Sequence, residues 1–152
     1  MKIGFPCLIL VIFFVLIGQP SLALAECPDF GIFLKEIDPA QKTWKNLYRL
    51  FKTYQVCDDG AYGEGYSDFV AQSLSKYWDR FDELTSLTKH DPSFQNFVLK
   101  HIDATDDPDD LKLLLNNVRK RCPSTDVSFC KEIEQAALSA LESIGATNKR
   151  GH

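Results

Sequence analysis

The stretch DPSFQNFVLKHIDATDDPDDLKLLLNNVRKR, residues 91–121, decides the fold class. It holds two aspartate–proline pairs, Asp91-Pro92 and Asp107-Pro108, each followed by an apolar series at helical spacing. Aspartate accepts from the free N–H groups of a first helical turn, and proline loses nothing there because its missing donor would be unpaired anyway. Phe94, Phe97, Val98 and Ile102 follow the first pair, and Leu111, Leu114, Leu115 and Val118 follow the second. Both series mark one apolar face of a 3.6-residue period. The second helix has Asp109 and Asp110 in its first turn and Arg119-Lys120-Arg121 in its last, the arrangement that complements a helix dipole. An offset of 17 superposes Phe94, Phe97 and Val98 on Leu111, Leu114 and Leu115, so the two read as weak repeats forming an antiparallel helix pair.

The same pattern extends in both directions. Asp38-Pro39 is a third pair, and Trp44, Leu47, Tyr48 and Phe51 form the apolar face of a helix that it is expected to start and that ends near Tyr54. Asp58-Asp59-Gly60 breaks it. From Gly65 the residues Tyr66, Phe69, Val70, Leu74, Tyr77, Phe81, Leu84 and Leu87 keep a helical period to about Thr88, as one helix or as two parted near Asp79. The adjacent Tyr77 and Trp78 cannot share one face, so at least one of them is partly exposed. A last helix begins near Asp126, carries Ile133, Ala137, Leu141 and Ile144 on one face, and is expected to close at Gly145 before a disordered polar tail over 147–152. No strand alternation is present. The expected fold is all-α: a compact bundle of five or six helices over residues 26–146.

The first 25 residues are read separately. A basic Met1-Lys2 start, an apolar run from Leu8 to Ile17 and the small-residue site Ala23-Leu24-Ala25 have the layout of a signal peptide. Ten strongly apolar residues are too few for a spanning helix, which needs about 20. Cleavage before Glu26 removes Lys2 and takes the net charge of the 152-residue chain from −4 to −5. The expected location is therefore secreted or periplasmic, without stable membrane insertion after cleavage. An acidic balance argues against nucleic acid as partner. Cys27, Cys57, Cys122 and Cys130 remain, an even set in an oxidising compartment. Of the three possible pairings, Cys27–Cys57 with Cys122–Cys130 staples neighbouring chain in each case. No C-x-x-C spacing supports zinc, and Glu26 stands where a lipoprotein signal would need a small residue before Cys27.

The segment from Cys57 to Asp68 is the most unusual in the chain. It packs Asp58, Asp59, Glu64 and Asp68 with Tyr62, Tyr66 and several glycines, which reads as a connection in which Asp58 caps a helix and Gly60 and Gly63 supply positive φ. Loops of this composition carry function more often than cores do, and Asp58, Asp59, Tyr62, Glu64, Tyr66 and Asp68 are the expected binding residues. The calcium pattern D-x-[DN]-x-[DN]-G is not matched, and neither a metal nor another cofactor is expected. Glu64 is the one candidate for an acid acting on a glycan bond, with Asp58, Asp59 or Asp68 as partner. His101 with Asp103 has the look of a base and its orienting carboxylate, but no nucleophile stands near in sequence, and a cationic cap at a helix C-terminus explains His101 without chemistry. The Asp103, Asp106, Asp107, Asp109, Asp110 run is largely helix-start chemistry.

Cys57 to Leu74, with its C-x-x-G, Gly65-Tyr66, Asp68, Val70 and Leu74, resembles small periplasmic immunity proteins that protect bacteria from secreted cell-wall amidases and related effectors. The resemblance covers about an eighth of the chain. It implies a helical, disulfide-stapled protein that binds another protein rather than an enzyme. The leading expectation is therefore a secreted or periplasmic helical binding module, an inhibitor or immunity-type protein acting through Asp58–Asp68 on a protein partner. The alternatives are an envelope-associated structural protein without a dedicated ligand and, third, a small cell-wall hydrolase using Glu64.

Overall fold

The structure, a computed structural model, describes residues 26–41 and 43–150, with side chains as far as residue 146. The expected signal peptide lies outside the described residues. Seven helices follow one another: α1 (Phe30–Glu36), α2 (Trp44–Tyr54), α3 (Gly60–Lys76), α4 (Phe81–His90), α5 (Pro92–Lys100), α6 (Pro108–Arg121) and α7 (Val127–Arg150). Single 3-10 turns at Gln55–Cys57 and Trp78–Arg80 link α2 to α3 and α3 to α4, and no strand occurs among the described residues. The all-α expectation holds, with seven helices in place of five or six.

One helix, α1, was not foreseen, and the alternative left open after Gly65 resolves as two helices. α1 is only seven residues long and apolar on most sides, too short for a periodic signal. The segment after Gly60 is two helices because Tyr77 leaves helical geometry at φ −123° and ψ 39°. That break turns Trp78 into the core, where it stacks on Phe81 at 4.3 Å and donates Nε1–H to the Arg121 carbonyl at 3.3 Å. Tyr77 stays half-buried, with the Arg80 guanidinium 4.7 Å from its ring.

Capping follows the sequence at two of the three aspartate–proline pairs. Asp91 accepts from the N–H groups of Ser93 and Phe94, and Asp107 from that of Asp109. Asp38 does not start a helix. It closes a turn instead, accepting from Ala40 N–H at 2.9 Å and Gln41 Nε2 at 2.7 Å, while α2 is capped by Thr43, whose N–H donates to Asn46 at 3.2 Å. At the other end Gly145 has ordinary helical backbone, and α7 runs past it to Arg150, so the expected helix stop there is corrected. A helix interior tolerates one glycine at about 1 kcal/mol, which packing of the preceding turns outweighs.

α3 and α6 pack along each other, and α7 packs on α6. α2 packs on α4, α4 on α5, α5 on α7, and α1 on α3. The repeat-like helices α5 and α6 therefore make their main contacts with other elements, and the expected pairing of the two is corrected. Asn117 of α6 donates from Nδ2 to the Leu74 and Ser75 carbonyls, at 3.0 and 2.6 Å, satisfying acceptors in the last turn of α3. Rings in mostly edge-on or tilted contact run through the core from Phe33 to Tyr66 (4.9 Å), Phe97 (5.1 Å) and Phe51 (4.9 Å). α1 reaches this core because residue 65 is glycine: a Cβ there would stand 2.8 Å from Ile37 Cδ1 and 2.9 Å from Phe33 Cε1. Disulfides join Cys27 to Cys57 and Cys122 to Cys130, the expected pairing.

Asp91 gives a first test of this framework. Besides capping α5 it accepts from Ser93 Oγ, from Tyr48 OH at 3.1 Å and from Lys52 Nζ at 3.2 Å. The Ser93 hydroxyl foremost, against the opposing effect of burial, holds its carboxyl well below the usual range, with Lys52, Tyr48 and the Phe94 N–H adding to it. A depressed folded value contributes stability that is present above about pH 4 and lost as pH falls below it. Asp91→Ala should cost about 1–2 kcal/mol at pH 7 in urea unfolding. Its deficit should shrink steadily below pH 4; a deficit that stays constant down to pH 2 would show that the ionised carboxylate is not the stabilising species.

Candidate functional site

The segment expected as a loop is for the most part helix. Only Gly60 has positive φ, at 50°, and α3 begins there with Asp59 as its N-cap, accepting from Gly60 N–H at 2.7 Å. Gly63 is an ordinary helical residue, and Asp58, expected as the cap, turns away to Lys100. The helical signal was present one turn earlier than it was read, since Tyr62 stands four residues before Tyr66 on the same face.

This placement divides the expected binding residues. Tyr66 is fully buried, its ring 5.1 Å from Phe97 and 5.6 Å from His101, so it cannot meet a partner; that expectation is corrected. Tyr62 is half-buried, donates to the Pro28 carbonyl at 2.6 Å and packs on Phe30 and Phe33. Asp68 is exposed and accepts from Gln72 of its own helix. Asp58, Asp59 and Glu64 do line a common groove, of about 280 Å³. Its other side is formed by Lys100, Asp103 and Thr105, from the end of α5 and the α5–α6 connection, with Ser67 and His101 between the two sides. Glu64 is exposed, without the enclosure that a general acid requires.

The floor is a buried polar network. Ser67 Oγ lies 3.0 Å from His101 Nδ1 and donates to Asp103 Oδ2 at 2.9 Å. With the hydroxyl proton on the Asp103 side, Nδ1 is the protonated nitrogen and donates to Ser67. Nε2 stands 3.0 Å from Asp58 Oδ1, yet neither atom is aligned for a hydrogen bond. Lys100 Nζ holds the other Asp58 oxygen at 2.6 Å. Burial pulls the His101 pKa down, and the neighbouring Asp58 does not offset it. Burial thus works against the cationic form that a capping imidazole would take, while Asp58 works for it. The His101 backbone does cap α5, donating to the Phe97 and Val98 carbonyls at 3.2 Å.

The connection itself is tightly tied. Asp103 Oδ1 accepts from Thr105 N–H at 2.7 Å and Thr105 Oγ1 at 2.6 Å. Burial opposes ionisation of Asp103, but these bonds and the one from Ser67 prevail and hold its carboxyl below the usual range. Asp106 Oδ2 accepts from Asp103 N–H at 3.0 Å, while Oδ1 has no partner. Burial first, and the charges of Asp103, Asp68 and Asp110 with it, push Asp106 up to about 7. Tyr66 is likewise pushed up to about 12 by burial and by Asp58.

Among the described residues, the buried side-chain atoms without a hydrogen bond are Asp58 Oδ1, Tyr66 OH, His101 Nε2 and Asp106 Oδ1. The first three belong to residues grouped about His101, and Asp106 stands behind the Asp103 wall. Unsatisfied buried polar groups are rare in native proteins; of these four residues Asp58 and His101 line the groove, their two atoms facing each other. A larger, shallower trough of about 490 Å³ runs between α5 and α7 past Leu99, Ala136 and Ser139, and none of these atoms lies on it.

Carboxylate, imidazole and hydroxyl in contact have the ingredients of a nucleophilic site, but Ser67 is 1% exposed and bound on both sides. Its hydroxyl ties the connection to α3. The arrangement fixes a wall and presents carboxylates. Among the described residues no group of three or more His, Cys, Asp or Glu is placed to hold a metal ion, and no helix is long and apolar enough to cross a membrane. Sequence reasoning missed Ser67, Lys100 and Thr105 altogether; their membership depends on α3 and the α5–α6 connection meeting across more than 30 residues of chain. No family model, curated protein or solved structure matches the chain.

Proposed function

We propose that this protein is a secreted or periplasmic binding module that holds a protein partner in the groove between α3 and the α5–α6 connection, as an inhibitor or immunity-type protein does. The observation that carries this reading is the groove itself: exposed Asp59 and Glu64 stand at a site whose floor is locked by Ser67 and His101. Rigid polar floors favour specific recognition because little ordering remains to be done on binding. The two disulfides and the resemblance of Cys57–Leu74 to periplasmic immunity proteins support the same compartment and role.

Gly63 offers a clean test. It lines the groove in ordinary helical conformation, and a Cβ there meets nothing closer than Asp58 Oδ1 at 3.6 Å. Gly63→Gln therefore fills the groove without strain or charge change, and the helix gains up to about 1 kcal/mol from losing a glycine. The immobilised protein, with both disulfides formed, is expected to retain one dominant partner from envelope and secreted fractions. Gly63→Gln should bind that partner at least tenfold more weakly at an unchanged or raised melting temperature. Equal affinity would remove the groove as the binding site.

A further inference from the structure

The far wall of the groove is built around a buried carboxyl whose one polar contact, the Asp103 N–H, favours its charge while burial and the neighbouring carboxylates oppose it more strongly. Asp106 is 6% exposed, uses one oxygen to accept from the Asp103 backbone and leaves the other unpaired. The groups that face it are mostly of one sign: Asp68 from α3, Asp103 from its own connection and Asp110 from α6. The cation on this side is Lys76, and it is committed to Asp110 at 2.9 Å. Where α7 runs alongside the connection it brings Ala136, Ser139, Ala140 and Ser143, none of them charged. Asp106 therefore sits easily as the neutral acid. Ionised, it is a desolvated charge among three like charges, and the bond that holds Asp103 to it belongs to the same turn that carries Asp103 and Thr105 into the groove.

We propose that the α5–α6 connection is a proton-controlled wall of the groove: held against α3 while Asp106 is neutral, and loosened when Asp106 ionises. What the groove admits then changes with pH around neutrality. This regulation rests on the groove being the binding site, but the wall's response is a property of the protein alone. Burial of Asp106 places its titration at about 7. Burial lowers His101 from 6.5, away from this range, so Asp106 is the group in this wall whose titration falls near pH 7.

The test is a series of backbone amide spectra of the labelled protein, without any partner, from pH 5.5 to 8.5. The amide signals of His101, Asp103 and Thr105, together with that of Ser67 across the groove, should move with one shared midpoint near 7. Asp106→Asn should abolish that movement. Asp68→Asn, an exposed change that removes one of the facing charges and poses no folding risk, should lower the midpoint by about half a pH unit. Four signals that stay still across this range, or that move identically in Asp106→Asn, would overturn the proposal. So would a midpoint unmoved in Asp68→Asn. None of these results touches the binding reading, which is tested separately by partner capture and by Gly63→Gln.

Discussion

With Cys27 and Cys57 both replaced by alanine, the protein should lose about 3.5 kcal/mol of unfolding free energy, against about 2.5 kcal/mol for the Cys122→Ala, Cys130→Ala pair. The difference comes from loop length. The first bridge spans a sequence separation of 30 and the second one of 8, and a longer closed loop removes more freedom from the unfolded chain. The first bridge also fastens the entry to α1, whose Phe33 is fully buried against Tyr62 and Tyr66. Equilibrium urea unfolding of the two double variants checks the order. If the short-loop variant proves the less stable, native contacts around Cys122 and Cys130 outweigh loop entropy, and the chain-entropy account fails for this protein.

Asp106→Asn should stabilise the protein, and by an amount that depends on pH. The folded carboxyl titrates at about 7, above the ordinary aspartate value, so between pH 4 and 7 the folded state binds more protons than the unfolded one. Stability tied to Asp106 is then complete below about pH 4 and is lost as pH rises toward and through 7. Three pKa units correspond to about 4 kcal/mol at most, and a gain of roughly 2–4 kcal/mol is expected for the variant at pH 8. Asparagine keeps an oxygen that can accept from Asp103 N–H and carries no charge. Thermal unfolding should show a melting temperature about 10 °C higher at pH 8 and nearly unchanged at pH 4. A variant less stable than the parent at pH 8 would mean that the ionised carboxylate has a compensating partner.

Much of the fold was legible because its signals are local. Asp91-Pro92 and Asp107-Pro108 state where two helices start, and the apolar spacings of α2, α3, α5, α6 and α7 fix which faces are buried. Asp38-Pro39 carries the same letters and makes a turn, because Gln41 and Ala40 satisfy Asp38 before a helix can begin. α1 was invisible, since seven mostly apolar residues have no period to read. The candidate site was half legible. Asp58, Asp59 and Glu64 stood out by composition, whereas Tyr66, placed both on the apolar helix face from Gly65 and among the binding residues, is buried in the second turn of α3.

Sequence by itself determined the helical class and the acidic character of the segment after Cys57, which follow from neighbouring residues and their spacing, and it narrowed the bridges to three pairings. Only the tertiary structure decided that Ser67 meets His101 and Asp103, that Lys100 meets Asp58, and that Asp106 is enclosed among carboxylates. Burial and charge proximity are properties of which helices lie side by side. The start of α3 meets the end of α5 and its connection more than 30 residues further along the chain, and that meeting brings Ser67, His101, Asp58 and Asp103 into one site.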